Sequence, residues 1–184
     1  MSKNTSNLGP IPAPRETAIL IGHEKIEAKL ANTFKYRRVA HALLLAGPRG
    51  IGKATLAYRF ARHVLSSGTT DMKTMLAAKS DRPLTLTRDH EVFARVASRG
   101  HADLLVLEKG INPRTGRLRG EITVDEARQL HRFLCLTPAE SSWRISIVDA
   151  VDEMNRNAAN AILKSIEEPP PRAILILVSH APGR

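Results

Sequence analysis

Residues 43–60 read LLLAGPRGIGKATLAYRF. The stretch opens apolar, turns through glycines, and continues with Leu56, Phe60 and Val64 at helical spacing. Gly47, Gly50, Gly52 and Lys53 fit G-x-x-x-x-G-K, and the apolar run VAHALLLA (39–46) precedes them as a buried parallel strand would. Glycines at those positions let backbone N–H groups turn toward phosphate oxygens, and the following helix offers its positive end. Lys53 is placed to put its ammonium on terminal phosphates. The stretch predicts a strand, a phosphate cradle and a helix from Lys53 through Leu65.

One position breaks the pattern. In nucleotide hydrolases of this build, magnesium is held by a Ser or Thr directly after the lysine and by an acidic residue on another strand. Here Ala54 follows Lys53 and has no oxygen to offer. Thr55 carries a hydroxyl, but one residue further along a helix turns a side chain by about 100°. That places Thr55 better for a nucleotide phosphate or for capping the turn than for a metal. The acidic partner is Asp149, at the end of the apolar strand RISIVDA (144–150). A glutamate that orients the attacking water often follows such an aspartate; the residue here is Ala150. Asp152 and Glu153 lie beyond the strand end, where their geometry makes them poor substitutes. The two losses together predict a cradle without hydrolysis.

Outward from these motifs, strands and helices alternate. Ile26, Leu30 and Phe34 mark a helix from His23. Residues 66–88 mix loop signals with a short helical piece, and DHEVFARVAS (89–98) reads as a helix stopping at Gly100. DLLVLE (103–108) is a strand. The basic turn GINPRTGRLRG (110–120) leads to a short strand, EIT. Thr123 and Glu126 have capping-box spacing for a helix to about Leu136. Asn155 opens a helix with Ala159, Ile162, Leu163 and Ile166 on one face, ended by Pro169–Pro171. AILILVS (173–179) is the last strand. Such alternation predicts an α/β fold, a parallel central sheet flanked by helices in three layers.

Composition narrows the function classes. The 184 residues suit one compact domain. No apolar run approaches the roughly 20 residues that cross a bilayer, and the N-terminus lacks the apolar core of a secretory signal. Cys135 is the single cysteine, which excludes an internal disulfide and suits a reducing cytoplasm. The net charge of +10 admits an anionic partner or simply a solvated basic surface. Aromatics make up only 4% of residues, so stacking along a single nucleic-acid strand has few platforms. Residues 1–16, with Pro10, Pro12 and Pro14, read as a flexible leader, and 17–184 as the domain. An ending just past a core strand suggests an N-terminal piece of a longer protein.

The motifs GPRGIGKATLA (47–57), ISIVDAVDEMN (145–155) and above all AANAILKSIEEPP (158–170) resemble the AAA+ clamp-loader proteins. HALLLAGPRGIGK, GHADLLVLE and ILILVSHAPGR extend the resemblance over nearly all of 22–184. Within that group the degraded site is similar to the delta-prime type of bacterial DNA polymerase III. The resemblance implies an AAA+ P-loop domain in a five-subunit ring that loads the sliding clamp on primed DNA. The neighbours would be delta and an ATP-hydrolysing tau/gamma subunit. It also implies an arginine lent to that neighbour from a Ser-Arg-Cys motif, which does not occur before Arg184, as well as lid and collar domains that this stretch lacks. Ser179 matches the polar sensor position; a strand-end hydroxyl satisfying backbone is the plainer alternative.

Many relatives carry a four-cysteine zinc module between the phosphate-loop helix and the GHPD-like turn. This sequence has no cysteines there, so no zinc or other metal is expected. His63, His90 and His101 read as surface or capping histidines, and Cys135 as a packed small hydrophobe rather than a nucleophile. Arg114, Arg117 and Arg119 either meet DNA or a partner or form a solvated hairpin. Glu167 and Glu168, at a helix C-terminus, either face a basic neighbour or are solvated. No cofactor is required, although the loop is left able to hold ATP or ADP weakly. The competing expectation is an active motor subunit using Thr55 and Asp152 in displaced roles.

Overall fold

The computed structural model describes residues 11–68, 82–111 and 114–181. Residues 1–10 of the expected leader, most of the helical piece expected within 66–88, Asn112 and Pro113 of the basic turn, and residues 182–184 lie outside the described residues.

Four strands, β1 (Ala42–Ala46), β2 (Leu104–Glu108), β3 (Arg144–Asp149) and β4 (Ala173–Ser179), pair in parallel in the order β1-β4-β3-β2. Parallel neighbours need long crossovers. The helices in those crossovers are α2 (Lys53–Leu65), α3 (Glu91–Ala97), α4 (Val124–Cys135) and α5 (Arg156–Glu167), with α1 (Glu24–Lys35) ahead of β1. Alternation along the strands makes two cores. Ile145, Ile147, Ile174, Ile176 and Val178 pack with Leu30, Phe60 and Val64 on one face of the sheet. Val148, Ala173 and Leu175 pack with Leu130, Leu134 and Ile162 on the other. Each fully buried large aliphatic side chain contributes about 1.5–3 kcal/mol. The molecule is the three-layer α/β arrangement that the sequence predicts.

The helix starts follow their sequence signals. Thr123 and Glu126 form the capping box of α4, with the Thr123 N–H donating to Glu126 Oε2 at 2.7 Å. Asn155 Oδ1 accepts the Ala158 N–H at 2.8 Å and starts α5.

Three features differ from expectation. EIT is not a strand: Ile122 makes a single bridge to Met154, because Thr123 already caps α4. Among the described residues β1 pairs with β4 alone, so Leu44 is 60% exposed instead of buried. In α1 the buried face runs through Glu27, Leu30 and Ala31, leaving Ile26 outside. Glu27 turns inward because Arg59 of α2 meets it: Nε donates to Oε1 at 2.5 Å and Nη2 to Oε2 at 3.1 Å, with both side chains buried.

Arg62, one turn along α2, organises the N-terminal segment. Its guanidinium donates to the carbonyls of Arg15 and Thr17, each at 2.7 Å, and stacks on Phe93. Burial, with the charge of Arg59 nearby, pushes its pKa down to about 10. Part of the stretch read as leader is thereby tied down: Pro14–Glu16 form a 3-10 turn, and Arg15 Nε donates to the Ala97 carbonyl.

Breaking the Glu27–Arg59 pair from one side strands a buried charge, a loss of about 3–5 kcal/mol. Glu27→Leu and Arg59→Met singly should each destabilise by that order in urea unfolding, and the double variant should recover most of the loss.

Candidate functional site

The site forms where strand C-termini meet. Ala46 of β1 lies opposite Ser179 of β4, and Asp149 of β3 lies opposite Val178. Ligands of open parallel sheets bind in this crevice. The loop leaving β1 enters it, and the Gly47 N–H donates to the Ser179 carbonyl at 3.3 Å.

Two glycines show why the loop needs them. Gly52 has φ +93°, and a Cβ there would lie 2.6 Å from Leu20 Cδ1. Gly47 has φ +150°, and its Cβ would lie 2.9 Å from Ile51 Cδ1. The loop therefore closes as a tight backbone turn directly before α2. The buried Lys53 reaches back over it, donating from Nζ to the carbonyls of Gly47 at 2.7 Å and Pro48 at 2.5 Å. Burial, helped by the charge of Arg49, lowers the Lys53 pKa, against the pull of Asp149 and Asp152. The glycine turn and its lysine fit a phosphate group.

Gly50, Gly52, Lys53, Thr55 and Asp149 line one cavity of about 450 Å³, and His180, which sequence reasoning passed over, joins them. Part of its wall is Ile11, Pro12, Pro14 and Thr17, the segment that Arg62 holds. Burial, with Glu108 and Glu153 nearby, keeps the Asp149 carboxyl above its ordinary pKa despite His180 and Lys53. Ala54 also lines the cavity and contributes no oxygen. The donor set thus suits magnesium poorly: Asp149 is there, and the hydroxyl that should share the ion is not.

The remaining carboxylates are engaged. Asp152 accepts the Ser179 hydroxyl at 2.8 Å on Oδ1 and the His180 N–H on Oδ2. Glu153 pairs with Arg49 at 3.0 Å and Lys109 at 3.2 Å. Ser179, expected at the sensor position, is buried and turns to Asp152; it lines a neighbouring cavity with Leu44 and Met154 rather than the loop cavity.

Residues 22–184 match the family described as DNA polymerase III, delta subunit. The chain belongs to this family. It is similar to the DNA polymerase III subunit delta' of Pseudomonas aeruginosa, 35% identical over 147 residues, 79% of this chain and 39% of that protein. The DNA polymerase III subunit tau of Bacillus subtilis is 27% identical over 171 residues, 93% of this chain and 27% of that protein. A solved DNA polymerase III gamma subunit-related protein of Thermotoga maritima is 19% identical with a TM-score of 0.42, over 83% of this chain and 39% of that one. The chain thus spans less than half the length of each of these relatives.

The other residues singled out in this family member lie apart from the cavity. His90 caps α3 by accepting the Val92 N–H, and His101 accepts the Asp103 N–H in the same way. His63 is half-buried and does not cap a helix: it packs against Phe34, and burial lowers its pKa. Cys135 is exposed rather than packed, because Ala127, Leu130 and Leu134 form the buried face of α4 and Cys135 falls off it. Arg119 pairs with Glu126 at 3.4 Å, beside the Ile111–Leu118 bridge of the basic turn. Glu167 and Glu168 are exposed. No helix among the described residues is long and apolar enough to cross a membrane.

Burial disfavours the Asp152 carboxylate, but the His180 N–H, the Ser179 hydroxyl and the Ala181 N–H outweigh it and hold its pKa below the ordinary value. Stability from this clamp is complete above the unfolded-state pKa and is lost as pH falls through the lower folded-state pKa. Asp152→Asn should cost about 1 kcal/mol at neutral pH. The gap to wild type, followed by urea unfolding, should close on acidification below the ordinary aspartate range.

Proposed function

We propose that this chain is the AAA+ P-loop module of a delta-prime-like clamp-loader subunit, a scaffold that does not itself hydrolyse ATP. The observation that carries this is the engagement of Asp152. The carboxylate best able to replace the missing base spends one oxygen on Ser179 and the other on the His180 N–H. Ala54 and Ala150 leave the two catalytic oxygens missing, and Glu153 faces two cations. The 35% identity to a delta' subunit, against 27% to a tau subunit, supports the same assignment.

In this role the module takes its place beside delta and the ATP-hydrolysing tau/gamma subunits in a cytoplasmic five-subunit ring. The ring opens the sliding clamp and sets it on primed DNA. Gly47, Gly50, Gly52, Lys53 and Thr55 keep the fold of a nucleotide site and can hold ATP or ADP weakly. Asp149 is a remnant of a metal ligand, Ser179 a sensor position turned to a structural bond. Neither zinc nor any other metal is needed.

The matches to tau and gamma subunits favour one competing reading, an active motor subunit. Phosphate release separates the two. Wild type should release phosphate no faster than Lys53→Ala, and Ala54→Thr combined with Ala150→Glu should raise the rate. Steady release by wild type that Lys53→Ala abolishes, at a rate equal to the double variant, makes the chain a motor.

A further inference from the structure

His180 stands one residue past β4, with its main-chain N–H fixed by Asp152 and its predecessor Ser179 fixed by the same carboxylate. Held at both points, His180 lines the loop cavity together with Lys53, Thr55 and Asp149. There Nε2 lies 3.9 Å from Asp149 Oδ1, too far for a hydrogen bond. Nδ1 is buried and has no partner. A ring with a buried nitrogen and no hydrogen bond on either nitrogen is costly. A bound group supplying an acceptor for Nε2–H would remove part of that cost.

We propose that His180 is a phosphate-binding residue: its imidazole donates Nε2–H to a phosphate of a nucleotide seated on the Gly47–Lys53 loop, so that binding does not require magnesium. The reason is electrostatic. A phosphate on this loop would face the Asp149 carboxylate, and the position after Lys53 offers no oxygen for a metal that would screen the two anions. The imidazole is the cationic-capable side chain beside that carboxylate, with Nε2 3.9 Å from it, and Lys53 lines the same cavity. Lys53 and His180 thus take up in protein groups part of what a metal supplies in a hydrolase, without activating water.

The inference rests on reading the loop as a phosphate cradle that does not hydrolyse. Calorimetric titration of the chain with ATP, in magnesium and in EDTA, tests it. Wild-type affinity should change less than about threefold between the two conditions. His180→Ala should weaken ATP binding in EDTA by about tenfold or more, the worth of a hydrogen bond to a charged group. His180→Gln, which keeps a side-chain N–H, should recover part of that loss, and all variants should keep the wild-type melting temperature. Equal affinity of His180→Ala and wild type, loss of wild-type binding in EDTA, or no ATP binding at millimolar concentration each overturns the role of His180. None of these outcomes touches the scaffold assignment, which fails separately if wild type turns ATP over.

Discussion

The parallel pairing of β4 between β1 and β3 is the constraint from which the site follows. It sets Ala46 beside Ser179, and Asp149 across from Val178, so the glycine loop and the carboxylates share one end of the sheet. The pairing holds because both faces of β4 are apolar. Ile174, Ile176 and Val178 enter one core, and Ala173, Leu175 and Leu177 the other. A one-residue slip would exchange these faces and move Ser179 away from the loop.

At that end of the sheet, geometry decides more than the strength of any single bond. The Arg49–Glu153 pair is exposed on the arginine side and is worth little by itself. Asp152 is different, since it accepts two donors from consecutive residues of one chain segment, and releasing it would leave both without that partner. The loop is also satisfied within itself. Lys53 bonds carbonyls of the turn it follows. The glycine turn with its lysine and the engaged Asp152 thus share one crevice.

Much of this was readable from the chain. The strands 104–108, 144–149 and 173–179, both capped helices and the glycine loop carry local signals, which is why they stand within a residue or so of expectation. The two alanines, Ala54 and Ala150, were visible as missing oxygens. What was not readable depends on partners far apart in sequence. Glu27 looks like a solvent residue until Arg59, 32 positions on, is seen against it. Ile26, chosen by periodicity, lost its place in the core to that ion pair. Asp152 and Ser179 each stand out in the sequence, but their bond is a tertiary fact. His180 carries no motif; its only signal is its position one residue past the strand that ends at the sensor-like serine. The EIT segment reads as a strand, yet its threonine serves a helix cap, a demand that overrides strand propensity.

The most direct test is a crystal structure of the chain with ATP and manganese, read by anomalous scattering at the manganese edge. Asp152 should remain bound to the Ser179 hydroxyl and the His180 N–H, with no carboxylate holding a water in line with the terminal phosphate. A structure in which Asp152 or Glu153 has left its present partners to hold manganese or that water would contradict a scaffold that cannot hydrolyse ATP.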